Sequence, residues 1–194
     1  MATKPHSRIR LSALAVVATA IGALVWAAGA SALTLGSVAP PDLGGCGDCD
    51  AFQATTGGGA PSYSVPKGKW TITSWSAQGG GTQAGKARLR VYRRTATPDQ
   101  FELVRQSARE PVPADAAPVF PTSLNVKKGD LLGLGTKDGL VSAYRTGLTG
   151  NLAEGVHCPT TPLGVGTIVG PGTACGTGDL PDSLVNVSAE LTPR

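Results

Sequence analysis

Lys86-Ala87-Arg88-Leu89-Arg90-Val91-Tyr92-Arg93-Arg94 alternates with a period of two. Ala87, Leu89 and Val91 fall on one side, and Lys86, Arg88, Arg90, Tyr92 and Arg94 on the other. Successive side chains of a strand point to opposite faces, so this stretch reads as a half-buried antiparallel strand with a solvated polar face. Upstream, Lys69–Ser76 shows the same period, with Trp70, Ile72 and Ser74 on one side and Thr71, Thr73 and Trp75 on the other, until Gly79-Gly80-Gly81 breaks it. Downstream, Phe101–Val104 follows the turn signal Thr97-Pro98-Asp99. Glu110–Pro121 holds four prolines, which deny a central strand or helix its amide donors, so it reads as a crossing between sheets. Ser123–Val126 and Leu131–Leu134 flank the turn Lys127-Lys128-Gly129-Asp130, and Leu140–Arg145 is another strand. Residues 147–182 are rich in Gly, Pro and Thr, with a short strand near Gly166–Val169. Val185, Val187, Ala189 and Leu191 alternate in a final strand. About eight short strands with turn signals between them predict an all-β domain, a single antiparallel β-sandwich with jelly-roll-like connections.

Residues 1–32 read differently. Lys4, Arg8 and Arg10 precede an apolar run from Leu11 to Ala28, and Ala30-Ser31-Ala32 offers the small-x-small pattern of a signal peptidase site. This predicts a signal helix cleaved before Leu33. The competing reading is an uncleaved anchor, since residues 11–33 are long enough to span a bilayer; a membrane partner follows only in that case. The domain plan is therefore 1–32 as signal or anchor, 33–60 as a loop-rich lead-in carrying a C-x-x-C, and 61–194 as the sandwich.

Three of the 17 Lys and Arg, and none of the 13 Asp and Glu, lie in residues 1–32, so the remainder carries a net charge of +1. A near-neutral chain lacks the phosphate-neutralising surplus that nucleic-acid binding needs. All four cysteines, Cys46, Cys49, Cys158 and Cys175, lie beyond residue 32, and an even count outside the cytosol predicts two disulfides. Three pairings are open. Long-range closure would tie the lead-in to the late loops; local pairing would stabilise less.

The order Tyr63-x-Val65-Pro66-x-Gly68-x-Trp70-x-Ile72-Thr73-Ser74-Trp75-Ser76, then Leu89-x-Val91-Tyr92-Arg93, then Val126-Lys127-Lys128-Gly129-Asp130-x-Leu132-Gly133-Leu134, spans roughly residues 46–145. It resembles a group of secreted, functionally uncharacterised β-sandwich proteins of high-GC Gram-positive bacteria. The resemblance implies the fold and the compartment. It brings no activity, and so no catalytic residue.

The chemistries can be weighed in turn. Beyond residue 32 there is one histidine, His157, and no Gly-x-Ser-x-Gly elbow. A hydrolase would need a cleft holding His157 with a carboxylate. Cys46-Gly47-Asp48-Cys49 has redox spacing, but Asp48 and Asp50 would raise thiol pKa values, and no βαβ unit follows. Zinc on Cys46, Cys49, His157 and Cys158 or Cys175 competes with oxidation of the thiols. Calcium on Asp42, Asp48, Asp50 or Asp179 with Asp182 matches no known loop spacing. No metal and no cofactor is expected. Sugar binding would use aromatic platforms among Tyr63, Trp70, Trp75, Tyr92 and Tyr144, of which at most one of Trp70 and Trp75 can face the core of a simple strand. An anionic wall polymer would meet the basic stripe. The candidate ligand residues are Trp75, Tyr92, Arg88 and Arg90. The expectation is an exported, non-catalytic protein with a binding or structural role at the cell envelope or outside it, with polysaccharide or cell-wall polymer as partner. The alternative is an extracytoplasmic thiol–disulfide redox protein using Cys46 and Cys49.

Overall fold

A computed structural model describes residues 31–41, 47–80, 84–159 and 162–194. The signal or anchor reading of residues 1–30 lies outside these, as do Asp42 and Cys46. Fourteen strands and no helix occur among the described residues: β1 (Leu33–Ser37), β2 (Asp50–Thr55), β3 (Lys69–Ser76), β4 (Gly85–Arg94), β5 (Phe101–Gln106), β6 (Glu110–Val112), β7 (Val119–Lys127), β8 (Leu131–Lys137), β9 (Ala143–Arg145), β10 (Leu152–His157), β11 (Ile168–Val169), β12 (Gly176–Pro181), β13 (Ser183–Val185) and β14 (Val187–Pro193). They form a small sheet in the order β1-β14-β3-β7, a large sheet in the order β11-β5-β4-β8-β2-β10-β12 with β6 also on β4, and the pair β13-β9. Every strand pair is antiparallel.

The alternation of β4 sets the layers. Ala87, Leu89 and Val91 are fully buried in one cluster that also takes Ala51 of β2 and Leu132 and Leu134 of β8 from the large sheet. Leu35, Ile72, Trp75, Val187, Ala189 and Leu191 of the small sheet complete it. Two antiparallel sheets thus share one core, with the apolar side of each turned inward.

The opposite face of β4 departs from expectation. Its ends, Lys86 and Arg94, are exposed, but its middle is covered: Arg90 is 2% exposed and Tyr92 is 0% exposed. Tyr92 joins Phe52, Phe101, Leu103, Leu131, Val156, Val169 and Cys175 in a second core on the outer face of the large sheet. Residues 162–175 lie over this face, pinned by the disulfide Cys158–Cys175 and by β11 on β5. A cover distant in sequence from β4 cannot be read from the alternation of β4 itself.

Three further differences have local causes. The 33–60 stretch supplies two strands where a loop was expected, and β2 lies between β8 and β10 in the large sheet. Thr73 is an extra residue against β14, where Glu190 pairs with Ser74 and Leu191 with Ile72. This bulge reverses the parity of β3, so Ile72 and Trp75 both enter the core and Trp70 packs against it. The Lys127–Asp130 turn does not close a hairpin, because β7 belongs to the small sheet and β8 to the large one. Fully buried Asp130 fixes this corner, accepting from the Lys127 amide at 2.9 Å and from both ends of the Arg93 guanidinium at 2.7 and 2.9 Å. The proline-rich crossing occurs as expected, from β6 on the large sheet to β7 on the small.

Candidate functional site

Pairing of β2 with β10 places Asp50 opposite Val156, so the start of β2 meets the end of β10. Asp48, Cys49, Val156 and His157 consequently line two adjoining clefts, of about 610 and 660 Å³. The first is closed by Asp50, by Pro159, and by Pro162 and Leu163 of the covering segment. The second runs along Gly176–Leu180 of β12. Asp48 adopts a positive φ of 52° and accepts a 2.6 Å hydrogen bond from the Gly139 amide, which holds the turn into β2. Exposed His157 ends β10 opposite Gly176.

The hydrolase requirement of His157 beside a carboxylate is met in this cleft, by Asp48 and Asp50. No serine or threonine stands among the described lining residues of the first cleft, and its two cysteines are both disulfide-bonded. The arrangement offers hydrogen-bond acceptors, an imidazole and an apolar wall, a set that can receive a hydroxylated ligand.

Behind the wall of the first cleft lies a cationic cluster. Arg90 donates from Nε to Asp50 Oδ1 at 2.7 Å and from Nη1 to the Leu163 carbonyl at 3.3 Å and to Gln106 Oε1. Arg88 Nη1 reaches the same Gln106 oxygen at 3.4 Å. Gly135 of β8 makes room for the pair: a Cβ there would stand 2.2 Å from Asp50 Oδ1 and 2.8 Å from Arg90 Nε. Arg88 and Arg90 are therefore brought together at Gln106, with Arg90 buried and Arg88 partly exposed. Tyr92 and Trp75 are corrections: both are fully buried, Tyr92 against Phe52 and Trp75 against Phe120, and neither offers a ring face to a ligand. Tyr63 is buried too, its hydroxyl donating to the Val185 carbonyl at 2.6 Å.

Of the cysteines, Cys158 pairs with Cys175, which excludes long-range closure between the lead-in and the late loops. Cys49 is disulfide-bonded as well, with Sγ 3.2 Å from Ser142 Oγ; Cys46 lies outside the described residues. The described cysteines of the zinc set are thus oxidised and offer no thiolate. Among the described residues no three His, Cys, Asp or Glu side chains come close enough to share a metal ion. Of the calcium candidates, Asp48 and Asp50 are engaged as above, Asp179 stands across from Glu154, and Asp182 holds a turn at φ 54°. At the cleavage pattern, Ala32 is exposed and Leu33 begins β1; Ala30 lies outside the described residues.

Sequence reading missed Arg109, Gln106 and the Glu154–Asp179 pair, because each acquires its neighbours through strand pairings that carry no local signal. Burial, and then the Asp179 charge directly opposite, push the Glu154 carboxyl above its ordinary pKa. No protein-family model matches this chain, no curated protein matches it, and no solved structure matches its fold.

Proposed function

We propose that the chain is an exported, non-catalytic β-sandwich protein with jelly-roll-like connections, which works at the cell envelope or outside it. It binds a hydroxyl-rich partner, a polysaccharide or cell-wall polymer, in the cleft bordered by Asp48, Asp50 and His157. The cleft carries this reading: it combines open polar side chains with a wall pinned by a disulfide, and its described lining residues include no activated nucleophile. Export is supported by the apolar run with Ala30-Ser31-Ala32, by the start of β1 at Leu33, and by oxidised cysteines, which persist in oxidising compartments. The resemblance to secreted sandwich proteins points the same way.

The test is retention on immobilised polysaccharides and isolated cell wall, for the wild type, Asp48→Asn and His157→Ala. Loss of one or two hydrogen bonds to ligand weakens binding by about tenfold in each variant. Failure of the wild type to bind any of them, or variants that bind like wild type, overturns the reading.

One observation favours the redox alternative: Cys49 lines both clefts, beside His157. Intact mass after alkylation decides it. Ready labelling of Cys46 and Cys49 at mild reductant, with Cys158 and Cys175 unlabelled, supports redox exchange; resistance of all four supports the structural role.

A further inference from the structure

We infer that Arg88, Arg90 and Arg109 form a binding site for a compact oxyanion, of the phosphate, sulfate or carboxylate class, on the outer face of the large sheet. The argument is one of charge and of unmet donors. Three guanidiniums act on one another here, and among the described residues Asp50 is the one carboxylate hydrogen-bonded to any of them. That carboxylate is taken by Arg90. Nearby Asp138 is already paired with Lys86 at 3.3 Å.

The donors tell the same story. Arg88 Nε and Arg109 Nη1 are buried and have no hydrogen-bond partner. Buried polar atoms are rarely left so, and an unpaired guanidinium edge is costly in a protein interior. Gln106 gives its single carbonyl oxygen to both Arg88 and Arg90, so it cannot supply the missing acceptors. Both Arg88 and Arg109 remain partly open to solvent, so a small ion can reach them. Burial and then repulsion from Arg109 and Arg90 depress the Arg88 pKa, and burial and then Arg90 depress that of Arg109, which is what a missing counter-anion predicts. A guanidinium fork matches an oxyanion with two parallel hydrogen bonds, better than it matches a neutral sugar hydroxyl. This site goes beyond the cleft reading, because Arg90 stands behind the cleft wall and the two ligands differ in charge.

The experiment is thermal unfolding and calorimetric titration of the full chain with inorganic phosphate at constant ionic strength. The comparison is with the double variant Arg88→Gln, Arg109→Gln, which leaves the Arg90–Asp50 pair intact. Phosphate is expected to raise the wild-type Tm and the double variant to bind it at least about tenfold more weakly. In phosphate-free buffer the double variant is expected to melt no lower than wild type, since the repulsion is gone. If the double variant fails to fold, Arg109→Gln alone is used in the same titration. A second arm titrates poly(glycerol phosphate): tighter binding to it than to inorganic phosphate identifies a polymer-borne anion, and the reverse identifies a free one. No response to either probe, or equal responses in wild type and variant, overturns the site. Neutral polysaccharide binding is measured alongside. Its retention in the double variant separates failure of this proposal from failure of the cleft reading.

Discussion

Arg90 and Asp50 illustrate how much one pair can decide. Their side chains are 3% and 18% exposed, and Arg90 is drawn onto Asp50, Gln106 and the Leu163 carbonyl together. Asp50→Ala would leave a buried guanidinium without its carboxylate, and a loss of about 3–5 kcal/mol is expected in the urea unfolding free energy. Gly135→Ala should damage the same pair indirectly, since its Cβ would occupy the space of Asp50 Oδ1. Glu154 contributes to the pH response. Its folded pKa is raised, so protonation favours the fold; that contribution is present below the ordinary carboxylate value and is lost as pH rises through the folded one. Glu154→Gln should therefore raise the urea midpoint at pH ~7 and leave it unchanged at pH ~4 or below, a comparison made by unfolding at both.

At the scale of the element, the bulge at Thr73 and the disulfide-pinned segment carry the consequences. Deleting Thr73 would restore simple alternation to β3 and turn Trp75 out of the core, and no cooperative unfolding transition is expected. Thr73→Ala removes only the exposed hydroxyl bond to the Glu190 carbonyl, at a cost of about 1 kcal/mol or less. Circular dichroism melts distinguish the two. Cys158→Ser with Cys175→Ser opens a loop whose ends are 17 residues apart and should cost about 3 kcal/mol, with faster hydrogen exchange in β11. Legibility in the sequence followed coverage. β4 and β14 were visible because one face of each is regularly apolar. β2 was not, since Ala51, Phe52 and Gln53 are all buried and erase the period of two. β10 interrupts its apolar positions with Glu154 and Gly155. The cleft depends on the pairing of those two strands. Asp48, Cys49, Asp50 and His157 could each be picked out singly, and their meeting could not.

For the whole molecule, β14 is the strand on which the small sheet depends. It lies between β1 and β3 and places Val187, Ala189 and Leu191 in the shared core. Truncation after Asn186 should abolish cooperative unfolding, read as loss of the denaturant transition in tryptophan fluorescence. The pairing of β1 with β14 also governs time. Leu33 lies opposite Leu191, and Ser37 opposite Val187. Because β14 follows the other thirteen described strands in sequence, β1 waits for its partner until they have been made. Until then the facing edges of β1 and β3 lack the strand that joins them, and the small sheet stays open. Closure of the small sheet is thereby a late event in the making of the chain, whatever the order in which the strands of the large sheet pair.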